Sequence, residues 1–267
     1  MGFPVIKAHA YGNDFLYLER DRSDGRDWSA IARAICDRHR GIGADGLVLF
    51  DRAGERPRFR LLNADGSPAE VSGNGVRGLA AILAWEHRRV HGTVPPSLSL
   101  DTDAGVNHLT VLDAQAATFT IRSSMPLPED VREVTLQVDG EAVQAVTLRV
   151  GNPQCVVFES ELDERRYRRL GPRLERHGAF PHRTNVSFAR IAAPDRVEIL
   201  IWERGVGPTL ASGTGACGAA VAAMSFRGCP RDLDVLSPGG VQHVTWNPGE
   251  LLLTGWATIV WQGEWFG

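Results

Sequence analysis

Leu61-Leu-Asn-Ala-Asp-Gly-Ser-Pro-Ala-Glu-Val-Ser-Gly-Asn-Gly75 has a counterpart further along the chain, Ile201-Trp-Glu-Arg-Gly-Val-Gly-Pro-Thr-Leu-Ala-Ser-Gly-Thr-Gly215. Each stretch reads as the end of a strand, a Gly/Pro loop, the word Ser-Gly-x-Gly and the start of a helix. Asn63 precedes Ser72 by nine positions, as Glu203 precedes Ser212. Ser72 and Ser212 are 140 positions apart. A second echo, Gly12-Asn13 and Gly151-Asn152, recurs at a spacing of 139. Two separate echoes at nearly one offset read as two copies of one structural unit.

Outward from the repeat, short runs rich in β-branched and aromatic residues predict strands, most of them bounded by Gly, Pro, Asn or Asp. Examples are Phe15–Leu18, Leu47–Phe50, Ser97–Leu100, Phe119–Ile121, Val146–Val150, Val156–Phe158, Val197–Trp202 and Ala257–Trp261. Four stretches read as helices: Asp27–Arg38, Asn74–His87, Glu161–Arg176 and Thr214–Phe226. Gly171-Pro172 is expected to break the third in two. The fourth is almost all small and apolar, the pattern of a helix buried on every side. Many strands with few helices predict an α+β fold. The boundary between copies is placed within roughly 112–130, with lobes 1–115 and 116–254 and the last strand, 255–267, completing the first lobe. Nothing there has the composition of a flexible linker.

The bulk numbers narrow the function. The chain has 267 residues, 43% hydrophobic, with a formal net charge of -3 and both signs interspersed, so no electrostatic footprint for nucleic acid or an anionic membrane is present. The Arg-rich stretch Glu164–Arg169 is short and reads as a solvated helix face. Met1–Lys7 lacks the pattern of a signal peptide, and no apolar run approaches a membrane span. Cys36, Cys155, Cys217 and Cys229 are scattered, as reduced thiols of a cytoplasmic protein are. Neither the cysteines nor the eight histidines have metal-ligand spacing, and no Rossmann fingerprint is present. No metal and no cofactor are expected.

A Ser-Gly-x-Gly turn opening a helix presents free N–H groups at the positive helix end, a place for a carboxylate. The ordinary role for Ser72 and Ser212 is N-capping, and alone it accounts for most such serines. Duplication adds a second meaning. Two equivalent groups on opposite sides of one carbon are what stereoinversion needs, one removing a proton and the other delivering one to the opposite face. The polar residues beside the loops are Asn13, Asn63, Asn74, Asn152, Asn185, Glu203, Arg204 and Thr214. Each alone is an ordinary turn former, and Glu203–Arg204 alone a local ion pair. Together they suit an amino-acid zwitterion: Arg204 for a carboxylate, Glu203 and the amide oxygens for an ammonium.

At these residues the sequence resembles the diaminopimelate epimerase family. The matching words, in family order, are Lys7-Ala-His-Ala-Tyr-Gly-Asn-Asp-Phe15, Arg38-His-Arg-Gly-Ile-Gly-Ala-Asp-Gly46, Asn63-Ala-Asp-Gly66 and Ser72-Gly-Asn-Gly-Val-Arg77. After them come Gly151-Asn-Pro153, Thr184-Asn-Val186, Glu203-Arg-Gly-Val-Gly207 and Ser212-Gly-Thr-Gly-Ala-Cys217. The resemblance implies two pseudo-symmetric lobes, each a curved mixed sheet wrapped around a central helix. It implies interconversion of LL- and meso-diaminopimelate without pyridoxal phosphate or metal, in lysine and cell-wall precursor synthesis, by a protein that forms a homodimer. It implies catalytic roles at positions 72 and 212, with Glu203, and substrate contacts at Asn13, Asn63, Gly73, Asn74, Asn152, Asn185, Glu203, Arg204, Gly213 and Thr214; Gln154, two residues after Asn152, is taken as a further substrate contact.

This chain departs from the family at the thiols. The family's loops read Cys-Gly-Asn-Gly and Cys-Gly-Thr-Gly; here the residues are Ser72 and Ser212. Gln154 stands where Gly-Asn-Pro-His has histidine, and Pro208-Thr209 replaces Glu-Thr. A serine hydroxyl is a far weaker acid than a thiol, and Cys217, five residues beyond Ser212, is expected inside the helix. Gln154 and Pro208 point to natural divergence rather than two engineered Cys→Ser swaps. Three functions stay open: an epimerase, a diverged isomerase or dehydratase of a related small acid, and an amino-acid-binding homologue without turnover. Exchange of the substrate α-hydrogen with solvent deuterium separates them.

Overall fold

The structure is a computed structural model describing residues 2–20, 25–69 and 71–267; Met1 and Glu70, both within stretches read above, lie outside these residues. The chain divides into two compact units. Unit 1 runs to Ser123 and takes in Gly255–Gly267, and unit 2 is Ser124–Thr254. The division falls eight residues beyond the expected 115/116 boundary. The cause is a strand pairing: Thr118–Ser123 stays bonded to the strand before it, in register as far as Leu109↔Ser123.

Unit 1 contains β1 (Phe3–Ala10), β2 (Asn13–Glu19), α1 (Trp28–Cys36), β3 (Gly46–Asp51), β4 (Arg58–Asn63), α2 (Gly73–His91), β5 (Ser97–Thr102), β6 (Gly105–Gln115) and β7 (Thr118–Met125). Unit 2 contains β8 (Glu129–Val138), β9 (Glu141–Val150), β10 (Asn152–Phe158), α3 (Glu164–Glu175), β11 (Asn185–Ala193), β12 (Arg196–Glu203), β13 (Gly207–Thr209), α4 (Gly213–Phe226), β14 (Asp232–Ser237) and β15 (Gly240–Asn247). The last strand, β16 (Glu250–Trp265), starts as the partner of β15 and continues as a strand of unit 1.

The two units repeat one connectivity. In unit 1, β1 is antiparallel to β2, β2 parallel to β3, β3 antiparallel to β4, β4 parallel to β5 and β5 antiparallel to β6. In unit 2 the same sequence of pairings runs through β9, β10, β11, β12, β14 and β15. Parallel neighbours need a crossover, and the helices supply it at equivalent places: α1 and α3 in the first, α2 and α4 in the second. The hairpin that opens each repeated series of strands, β1–β2 and β9–β10, also matches. Tyr11 and Gly12 both have positive φ, 56° and 85°, which makes the two-residue type I′ turn that closes Ala10 onto Asn13. Gly151, at φ 70°, turns Val150 back onto Asn152. Both asparagines of the second echo are therefore the first residue of a strand.

Strand alternation gives each sheet two apolar faces, one for each helix of its unit. Leu16 and Leu18 of β2 pack with Trp28, Ala32 and Ile35 of α1, while Tyr17 between them points the other way and donates from its hydroxyl to Gly75 O of α2 at 3.1 Å. In unit 2, Val156 of β10 packs with α4, and Cys155 and Val157 pack with Tyr167, Leu170 and Leu174 of α3. The central helices are enclosed: α2 is buried without interruption from Asn74 to Ala84 and α4 from Gly215 to Ala223. In unit 1, β16 pairs with both β7 and β1, so the sheet closes on itself around α2. In unit 2, α4 touches β9, β10, β11, β12, β14 and β15. The fold is the α+β arrangement of curved mixed sheets around central helices.

One expected feature is corrected. Helix α3 continues through Pro172 to Glu175. Proline removes a hydrogen bond to the carbonyl one turn back, but Pro172 lies in the last turn, where only that bond is at stake. Packing holds the turn in place: Leu170 and Leu174 are fully buried, and Gly171 lies so close to Trp202 that a Cβ would come within 2.9 Å of the indole.

Candidate active site

Both Ser-Gly-x-Gly words open central helices, as the repeat predicts. Ser72 is the N-cap of α2, its Oγ accepting from Gly75 N at 3.2 Å. Ser212 is the N-cap of α4, its Oγ accepting from Gly215 N at 3.3 Å. The hydroxyls are thus fixed at the positive ends of two buried helices, where a negative charge is favoured.

In unit 1 a polar chain leads to the start of α2. Asn13 Nδ2 donates to Asp45 Oδ2 at 2.7 Å, and Asn13 Oδ1 accepts from Asn74 Nδ2 at 3.3 Å. Asn74 Oδ1 in turn accepts from the fully buried Arg77 at 3.0 Å. Behind Asn13, Arg38 bridges Asp14 and Asp45 at 2.6 and 2.7 Å, and Lys7 lies 2.9 Å from Asp14. Burial alone would raise the Asp14 carboxyl, but the hydrogen bonds from Arg38 and Lys7 hold it below its ordinary value. The structure therefore joins Asn13 to Asn74. Asn63 is exposed at the end of β4 and donates from its side chain to Ser67 Oγ at 2.9 Å, within its own turn. Gly73 faces open space where a Cβ would stand.

In unit 2, Asn152 Oδ1 accepts from Gln154 Nε2 at 2.5 Å. Gln154 is 1% exposed, its methylenes pressed against Gly218 of α4, so it stands behind Asn152 and orients it. Asn185 Oδ1 accepts from Arg204 N at 2.9 Å, and Arg204 Nη1 donates to His182 O at 3.4 Å. Burial pushes the Glu203 carboxyl above its ordinary value, with Thr209 beside it acting the other way. Gly213 lies against Leu253, where a Cβ would come within 2.9 Å of the side chain. Thr214 is half-buried in the first turn of α4. Cys217 is fully buried inside α4, as its spacing predicts.

Several residues that build these helix-start clusters had no assigned role in the sequence: Lys7, Asp14, Arg38, Asp45, Arg77 and Glu175. All but Glu175 lie inside the quoted family words, so the words carried the signal without the roles. Glu175 lies among arginines in a charged helix, where nothing local sets it apart. Among the described residues, no group of three or more His, Cys, Asp or Glu is placed to hold a metal ion, and no helix is long and apolar enough to cross a membrane.

Known proteins of the same fold include a phenazine biosynthesis protein of the PhzF family from Bacillus anthracis, with a TM-score of 0.72 at 14% identity over 100% of both chains. A probable proline racemase from Agrobacterium radiobacter superposes with a TM-score of 0.70 at 15% identity, over 98% of this chain and 92% of that one. Relatives by sequence are closer. The diaminopimelate epimerase of Heliobacterium modesticaldum is 38% identical over 275 residues, 97% of this chain and 98% of that protein. That of Desulforudis audaxviator is 38% identical over 272 residues, again 97% and 98%. The family profile named Diaminopimelate epimerase matches residues 5–125 and 146–260. With its duplicated units and paired helix-start loops, the chain belongs to the diaminopimelate epimerase family.

Proposed function

We propose that this protein is a pyridoxal-phosphate-independent amino-acid epimerase acting on LL- and meso-diaminopimelate, a precursor of lysine and peptidoglycan. The observation that carries the reading is the pair of capped serines, Ser72 and Ser212, at equivalent helix starts of two units that repeat one connectivity. In this mechanism one serine oxygen takes the α-proton while the other hydroxyl delivers a proton to the opposite face, so the proton count balances and the carbon is inverted. The helix-start N–H groups and Arg204 hold carboxylate, and Glu203 accepts from the ammonium. Asn152, whose carbonyl oxygen is taken by Gln154, offers its amide N–H groups. Asn13, Asn63, Gly73, Asn74, Asn185, Gly213 and Thr214 complete the contacts.

Serine makes the reaction slow at neutral pH. A helix N-terminus favours an anion by at most about 2 kcal/mol, which is little more than one pKa unit. That is too small to bring a hydroxyl to the acidity of a thiol. A second reading, an amino-acid-binding homologue without turnover, is favoured by this same pair of serines. Deuterium wash-in at the α-carbon of LL-diaminopimelate decides. The expected result is slow exchange by the natural chain, rising about tenfold per pH unit as alkoxide forms, and much faster exchange by the Ser72→Cys, Ser212→Cys double variant. Binding without exchange in either protein would establish the second reading. Failure of diaminopimelate to bind would sink the epimerase reading and the substrate assignment with it.

A further inference from the structure

The turn that carries Glu203 and Arg204 is built on glycines. Gly205 and Gly207 have φ of 78° and 97°. A Gly-x-Gly turn has many conformations open to it, and holding one of them costs conformational entropy. Its side chains would therefore be poorly placed unless something fixes the backbone.

Glu175 does this from outside the turn. It is the last residue of α3 and only 2% exposed. Its Oε1 accepts from Gly205 N at 2.9 Å and its Oε2 from Trp202 Nε1 at 3.0 Å, two donors that flank Glu203 and Arg204. The backbone carbonyl of Glu175 accepts from Thr184 N at 3.1 Å, next to Asn185, whose side chain accepts from Arg204 N. Arg183 lies 3.6 Å and Arg176 4.0 Å from the carboxylate. A buried carboxylate is costly without compensation, and here two N–H donors and two guanidinium groups supply it. Burial would raise its pKa, but the bonds from Gly205 and Trp202 and the nearby arginines bring it below the ordinary value, so the group is ionised and accepts with both oxygens.

We propose that Glu175 is the positioning residue of this recognition turn: its carboxylate, anchored at the end of α3, sets where Glu203 and Arg204 stand when an amino acid binds. The inference rests on the reading of Glu203 and Arg204 as substrate contacts. Glu175 acts only through the backbone and Trp202.

The test uses the full chain with two variants. Glu175→Gln turns one accepting oxygen into an N–H₂ that confronts a donor. Glu175→Asp keeps both oxygens on a shorter arm. Expected for Glu175→Gln are a rise of about tenfold or more in the Kd for LL-diaminopimelate by calorimetry, a loss in deuterium wash-in carried by KM more than by kcat, and faster amide exchange across residues 202–207. Glu175→Asp is expected to recover part of each. A folded Glu175→Gln variant with unchanged Kd and KM overturns the proposal. So does an unprotected Gly205 amide in the natural chain, a measurement that needs no variant to fold. If the natural chain binds no diaminopimelate, the functional reading falls and the clamp is judged on amide exchange alone: faster exchange in Glu175→Gln supports it, unchanged exchange overturns it.

Discussion

At the residue scale, the N-cap role of Ser72 and Ser212 and their proposed chemical role are compatible. Each Oγ accepts one backbone N–H of its own helix, and an alkoxide there would accept the same bond more strongly. Glu203 offers a separate test. Burial raises its carboxyl, so it takes up its proton at a higher pH than an exposed glutamate does. The ionised form binds an ammonium through a charge-assisted bond, which the protonated form replaces with a much weaker one. Diaminopimelate affinity is therefore expected to weaken on acidification with an inflection above the ordinary glutamate value, and Glu203→Gln should lose that inflection in a series of Kd measurements against pH. The family words named such residues as candidates, but not their partners. Gln154 is the clearest case: read as a substrate contact, it is buried behind Asn152 and bonds to it.

At the element scale, local signals placed the helices well. Asp27, Ser72 and Ser212 are all N-caps, and the small-residue run Thr214–Phe226 is a helix with a buried interior. Close approach of strand and helix explains glycines that no local signal distinguishes. A Cβ on Gly78 would stand 1.9 Å from the Tyr17 hydroxyl, the group that bonds Gly75 O at the start of α2. Gly78→Ala is expected to cost about 1–3 kcal/mol of stability in urea unfolding. Gly73→Ala, facing open space, should be within about 0.5 kcal/mol of the natural chain. Pro172 shows the converse. A strong local breaker is overruled because the buried face of α3 is continuous through it.

At the scale of the whole molecule, the thiols that the family words place at the helix starts are absent, and the four cysteines present lie elsewhere, all buried. Burial pushes the Cys36 and Cys155 thiols up to about 12 and raises that of Cys229, so none of these three is a ready nucleophile, and Cys217 is fully buried inside α4. Iodoacetamide is expected to leave the intact mass and the diaminopimelate affinity of the native chain unchanged. It should modify the Ser72→Cys, Ser212→Cys variant at its helix starts and abolish its exchange activity. What the sequence by itself determined is the duplication, the paired capped loops and most of the elements, because strand alternation, helix periodicity and capping are set by residues a few positions apart. Only the tertiary structure decided how the candidate residues of each unit are held. Asp45 orients Asn13 across 32 positions and Glu175 holds the Gly205 turn across 30. Such bonds depend on where folding brings distant segments together, and hydrogen bonds of a few ångströms leave no periodic trace in the chain.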